Sequence, residues 1–179
     1  MPKDYLKSNW YVITGGPSSG KTTVLNELAK LGYKVYPEVA RVLINQEIAK
    51  GKSLKEIRSD EVKFQKKVLK IKINVEETAL KNKIVFFDRA IPDSIAYYQI
   101  FGLNQKEVLK FCKRKVYKKI FFLEQLPTKR DYARIEDKET IKKLNLLLKE
   151  SYKKLGYKVI KIPVVPIEER VFKILKEIS

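Results

Sequence analysis

Residues 15–22, Gly15-Gly16-Pro17-Ser18-Ser19-Gly20-Lys21-Thr22, constrain this chain more than any other feature. The run before them, Trp10-Tyr11-Val12-Ile13-Thr14, is apolar, aromatic and β-branched and predicts a buried strand. The run after them carries Val24, Leu25, Leu28, Ala29 and Leu31 at helical spacing. A strand that turns through G-x-x-x-x-G-K-[ST] into a helix is the setting in which this spacing cradles phosphate. Gly15 and Gly20 allow backbone torsions and a close approach that a Cβ would block. The loop N–H groups and the helix N-terminus then face one anion, a polyphosphate. Gly15 to Thr23 form the expected contact surface for ATP or another nucleoside triphosphate. Lys21 is expected along the β- and γ-phosphates, and the Thr22 hydroxyl on Mg²⁺.

With 179 residues, 44% hydrophobic and 34% charged, the chain reads as one globular domain rather than two or a disordered one. No run of about eighteen apolar residues is present, so no membrane span is expected. The opening Met1-Pro2-Lys3-Asp4-Tyr5 carries no apolar signal core, and the lone Cys112 excludes an internal disulfide; both fit a cytoplasmic setting. With no histidine and one cysteine, zinc chemistry and histidine-based triads are set aside. Any general base must then be a carboxylate. The net charge of +18 comes from 32 lysines and seven arginines, a scattered lysine excess that does not by itself mark a binding surface. The scarcer arginines are more informative, and Arg41, Arg89, Arg130 and Arg134 fall inside candidate motifs.

The remaining pattern alternates strands and helices. Strands are expected at 33–37, 84–88, 117–123 and 157–162. Helices are expected at 38–50, 60–81, 92–101, 104–112, from about 137 to 155, and after Pro166, with 51–59 a polar connector. Five strands separated by helices predict an α/β fold, a parallel sheet covered on both faces. The helix at 60–81 carries two opposed apolar stripes: Phe64, Val68, Ile71, Val75 and Ala79 on one side, Val62, Leu69, Ile73 and Leu80 on the other. One should face the sheet side, the other a second element or another subunit of a homo-oligomer.

In a parallel sheet the carboxyl ends of the strands line the ligand crevice. Val85-Phe86-Phe87-Asp88 therefore aims Asp88 at the edge that holds Lys21, where it can organise magnesium or cap the following helix. Arg89 follows as a planar clamp for phosphate or acceptor, and Asp93 is a candidate contact for a polar acceptor or a first-turn helix acid. Glu38 ends the second strand segment at the same edge and is the best general-base candidate. Arg41, about one turn on, would pair with Glu38 or meet a phosphate. Arg130 and Arg134 lie four apart between the fourth strand and the next helix, placed to form a lid over residues 124–137 or local ion pairs.

These motifs carry a resemblance. GGPSSGKTT at 15–23, PEVAR at 37–41, FQKKVLK at 64–70 and FFDRAIPDSIAYY at 86–98 resemble the small AAA-like ATPases of the kinase-type P-loop proteins. That group is related to nicotinamide-riboside kinases and, more distantly, to deoxynucleoside kinases. The resemblance implies a P-loop NTPase fold of the nucleoside- and nucleotide-kinase type, with an arginine-containing lid. It also implies Glu38 as base, Arg89 after the third-strand acid, Gln65 as a base-reading side chain, and Arg130 and Arg134 in the lid. The chain departs from the deoxynucleoside kinases in having Asp88-Arg89-Ala90 where they carry Glu-Arg-Ser.

Three functions compete at this stage. The first is Mg-ATP-dependent phosphoryl transfer to a small hydroxylated, nucleoside- or nucleotide-like acceptor. The second is triphosphate hydrolysis, with Glu38 positioning water. The third, less favoured, is an RNA-associated ATPase, whose footprint would be the basic run Lys113 to Lys119.

Overall fold

Alternation along one strand sets the architecture. In β1 (Trp10–Thr14), Tyr11 and Ile13 join the core on one face of the sheet and Trp10 and Val12 the core on the other, all four buried. A strand apolar on both faces belongs at the centre of a sheet with helices on each side. The computed structural model describes residues 8–112, 115–127 and 137–179. In it β1 is central in a five-stranded parallel sheet of order β2-β3-β1-β4-β5, with β2 Lys34–Tyr36, β3 Val85–Asp88, β4 Tyr117–Leu123 and β5 Val159–Ile162.

Helices α1 (Lys21–Lys30) and α8 (Ile167–Ile178) cover the Tyr11/Ile13 face through Val24, Leu25, Leu28, Val171 and Ile174. On the other face, Tyr152 of α7 (Lys138–Lys154) packs beneath Trp10, Val12, Val85 and Phe87. Further along α7, Leu144, Leu147 and Leu148 meet Phe122 of β4 and Ala96 of α5 (Asp93–Ile100). The expected α/β fold and strand positions are those observed, with the long helix ends one to three residues inside the expected limits. Two details differ. The connector at 51–59 contains a short helix, α3 (Leu54–Ile57), started by a capping box: Ser53 Oγ accepts from the Glu56 N–H at 3.2 Å and Glu56 accepts from the Ser53 N–H at 2.7 Å. The helix expected at 104–112 is the single turn α6 (Lys106–Leu109).

The long helix α4 (Glu61–Thr78) has the two covered faces that its stripes predict. Phe64 and Val68 pack on Val39, Leu43 and Ile44 of α2 (Val39–Ala49). Leu69 and Ile73 pack on Ile91, on Ile95 and Tyr98 of α5, and on Val108 of α6. Of the two alternatives for the second stripe, the structure shows the second element, since α5 and α6 meet it within the chain. Its ends, Val62 and Leu80, remain 43% and 41% exposed. Leu69→Lys should therefore lower stability by on the order of 3–5 kcal/mol, combining a lost apolar side chain with a buried charge. Val62→Lys should stay within about 0.5 kcal/mol in the same urea melts.

A polar seam runs through the core behind α4. Glu76 is buried and accepts from the Tyr117 hydroxyl at 2.7 Å and the Ile91 N–H at 2.9 Å. Burial pushes its carboxyl up to about 7, against those hydrogen bonds. Between the ordinary carboxylate range and that value, the folded state keeps a proton that the unfolded chain releases. Wild-type stability therefore falls as pH rises through this window. Glu76→Gln, a neutral isostere, should match wild type near pH 4.5 and exceed it at pH 8 by roughly 2–3 kcal/mol in denaturant melts. An equal difference at both pH values would count against a titrating Glu76.

Candidate active site

The chain leaves β1 at Gly15, whose φ is +140° and where a Cβ would stand 2.6 Å from the Leu123 carbonyl oxygen. It enters α1 at Gly20, φ +84°. Both glycines are thus fixed by geometry as well as by motif. Ser18 takes the left-handed region too, at +59°. Lys21 is buried and its Nζ donates to Gly15 O at 3.0 Å, Gly16 O at 2.8 Å and Ser19 Oγ at 3.3 Å. Burial, and then the Arg89 charge, pull its ammonium down to about 8. Thr22 and Thr23 are exposed on the wall of the adjoining cavity.

Side chains far off in sequence hold the loop. Asn145 of α7 accepts from the Gly16 N–H at 2.8 Å, and Gln125 donates to Pro17 O at 2.7 Å. Arg170 of α8 donates to Ser19 O at 2.6 Å, Pro163 O at 2.9 Å and Glu124 O at 3.3 Å. It ties the loop to the ends of β4 and β5. None of these three was singled out from sequence. The scarcity of arginine was the one signal that pointed to Arg170.

Asp88 pairs in register with Ile13, so it stands at the loop's edge of the sheet as expected. It is buried, and its Oδ1 has no hydrogen-bond partner among the described residues. Burial, and then the nearby Glu38 charge, push its carboxyl up to about 7. It does not cap the following turn: the Ala90 N–H donates to Asp93 instead, at 2.7 Å. Arg89 holds a left-handed φ of +61° and pairs with Glu38. Its second nitrogen donates to Gly15 O at 3.1 Å, and the guanidinium lies 5.3 Å from the Tyr97 ring centre. Burial would raise the Glu38 carboxyl, but Arg89, Lys21, Arg41 and Lys72 outweigh it and hold Glu38 below its ordinary value.

A cavity of about 190 Å³ opens between the loop, α2 and α4. It gathers the expected Lys21, Thr22, Glu38, Arg41, Gln65 and Arg89. It also gathers Phe64, the neighbour of Gln65 in the implied base-reading pair, and Arg58, Lys72 and Tyr97, to which sequence reasoning gave no part in an acceptor pocket. Gln65 is largely buried and donates to Glu61 at 3.4 Å. Asp93 takes the second of its two expected places, a first-turn acid of α5, and not that of an acceptor contact. It is fully buried, and its carboxylate accepts from the Thr14 hydroxyl, the Ala90 N–H and the Tyr152 hydroxyl. It braces the sheet edge against α5 and α7 and does not line the cavity. Arg130 and Arg134 lie outside the described residues.

The donor set suits magnesium. Among the described residues no three His, Cys, Asp or Glu side chains cluster to enclose a metal. A magnesium ion bound with phosphate needs only one or two protein oxygens, the rest being water and phosphate. The unpartnered Asp88 oxygen and the exposed Thr22 hydroxyl are of that kind.

Sheet order, phosphate loop and strand-end acid together define a P-loop enzyme, a nucleotide-dependent kinase or NTPase. A family profile described as an AAA domain matches residues 10–170, and the chain belongs to that family. No curated protein matches it. Among solved structures, a deoxyadenosine kinase from M. mycoides with bound dATP is 17% identical with a TM-score of 0.64, over 94% of this chain and 98% of that one. Thymidylate kinase from Candida albicans is 15% identical with a TM-score of 0.68, over 96% and 91%. NadR in complex with NR is 16% identical with a TM-score of 0.69, over 98% of this chain and 52% of that one. At these identities the likeness is one of fold. Among the described residues no helix is long and apolar enough to cross a membrane.

Proposed function

We propose that the chain is a Mg-ATP-dependent phosphotransferase acting on a small hydroxylated metabolite, nucleoside- or nucleotide-like. The observation that carries this reading is the cavity that continues from the phosphate loop between α2 and α4. Hydrolysis needs room for one water, whereas this space is walled by Phe64, Val68 and Tyr97, an aromatic and apolar lining suited to an organic acceptor. The nucleoside and nucleotide kinases among the structural neighbours support the same acceptor class.

In this reading the loop N–H groups and Lys21 hold the polyphosphate. Thr22 and Asp88 would hold magnesium, which neutralises charge on the β- and γ-phosphate oxygens when bound. Glu38, kept ionised by Arg89 and Lys21, orients the acceptor hydroxyl and takes its proton. The acceptor oxygen bonds to the γ-phosphorus as the bridge to ADP breaks, while Arg89 keeps Glu38 in place. Nucleic acid is not favoured. In the basic run, Lys115 is taken up by the Gly156 carbonyl and Lys119 by Glu177, while Lys113 and Arg114 lie outside the described residues. Cys112 is no nucleophile, since burial pushes its thiol up to about 12. Its reduced state fits a cytoplasmic enzyme.

The test is ADP release measured across nucleosides, nucleotides and vitamins. Release that depends on one acceptor, with a phosphorylated product, bears the reading out. Equal release with no acceptor makes the chain a hydrolase, and stimulation by RNA alone makes it a nucleic-acid ATPase.

A further inference from the structure

Lys72 is a buried cation on the cavity wall whose hydrogen bonds go only to neutral acceptors. It sits in the middle of α4, is 5% exposed and lines the cavity with Glu38 and Arg89. Its ammonium has three donors. Two of them are used, on Ala90 O and Ser94 Oγ, each at 3.1 Å, and both acceptors are neutral. Among the described residues no carboxylate forms an ion pair with it. The acids nearby are committed elsewhere: Asp93 to Thr14, Ala90 and Tyr152, Glu76 to Tyr117 and Ile91, Glu38 to Arg89. Burial pulls the Lys72 ammonium down, while Asp93, Glu38 and Glu76 act on it only from beyond contact.

A buried cation is costly unless an anion meets it. Lys72 is also one of the residues that line the cavity. On the same wall the Glu38 carboxylate is taken by Arg89, and Arg58 pairs with Glu61. A neutral acceptor would leave the Lys72 charge unmet. We infer that the acceptor carries a phosphate monoester of its own and that Lys72 receives it, making Lys72 a specificity-determining residue of the cavity. This rests on the phosphotransferase reading and narrows its acceptor from nucleoside-like to nucleotide-like. Phe64, Tyr97 and Val68 leave an aromatic and apolar wall for the rest of such a molecule.

The experiment is calorimetric titration with 2′-deoxynucleosides and their 5′-monophosphates, as matched pairs, with the phosphate loop filled by saturating Mg-ADP. The wild type should bind at least one monophosphate about tenfold or more tightly than its nucleoside, as expected for a new charge-assisted contact. Lys72→Met should remove that preference and leave Mg-ADP binding unchanged, whereas Lys72→Arg should keep most of it. No preference in any pair for the wild type overturns the proposal without recourse to a variant. So does a preference that survives Lys72→Met, or a loss of Mg-ADP affinity in that variant. If ATP turnover needs no acceptor while the Lys72-dependent preference stands, the phosphotransferase reading fails and the phosphate site remains.

Discussion

Lys21→Ala is expected to lower ATP turnover by at least about 10²–10³-fold and to weaken nucleotide binding while the protein stays folded. The ammonium sits within the loop, on the carbonyls of Gly15 and Gly16. In this arrangement it occupies the space between loop and cavity. With triphosphate bound, those contacts are exchanged for phosphate oxygens. Folding should survive because burial already pulls the ammonium down to about 8, so its removal relieves desolvation as it breaks three hydrogen bonds. Coupled ADP release, nucleotide titration and a thermal melt of the variant check all three points. Turnover within about threefold of wild type would take the loop out of catalysis.

Asp88→Asn should cut turnover by a comparable on-the-order-of 10²–10³-fold, with partial rescue by raised Mg²⁺ or by Mn²⁺. The substitution preserves shape and removes one charge. Its stability effect should be small or favourable, since the carboxylate is already pushed up to about 7 by burial and has an oxygen with no partner to lose. The decisive measurement is rate against magnesium concentration. A metal role gives a variant curve shifted to higher magnesium, and full activity at limiting magnesium would remove Asp88 from the metal site. The Ala90 N–H of the following turn is already taken by Asp93.

What was legible in the sequence was what is local. The loop at 15–22 could be read whole because strand, turn and helix lie within about twenty residues. Asp88 and Glu38 could be placed because parallel strands deliver their carboxyl ends to one edge, and β1, β2 and β3 are in register there. The capping box at Ser53 and Glu56 was equally visible but lay in a stretch with too few apolar residues to announce a helix. Which of its two readings Asp93 takes was not legible, because its partners, Thr14 and Tyr152, lie 79 and 59 residues away and no spacing rule joins them. Lys72 was invisible for the opposite reason. One buried lysine among 32 carries no mark, and only packing against Ala90 and Ser94 sets it apart. Arg58, buried beside Glu61 and 4.6 Å from the Phe64 ring centre, lay outside the motifs that drew attention to the other arginines.

The Arg170 clasp has a consequence for the order in which the site is made. The loop emerges early from the ribosome, but the guanidinium that grips Ser19 O is encoded 151 residues later. A nascent chain therefore carries its nucleotide motif for most of its synthesis without the clamp that joins it to β4 and β5. Until α8 docks, Ser19 O lacks this partner. Chains arrested before residue 170 are therefore expected to be retained less well by ATP-agarose than the full chain.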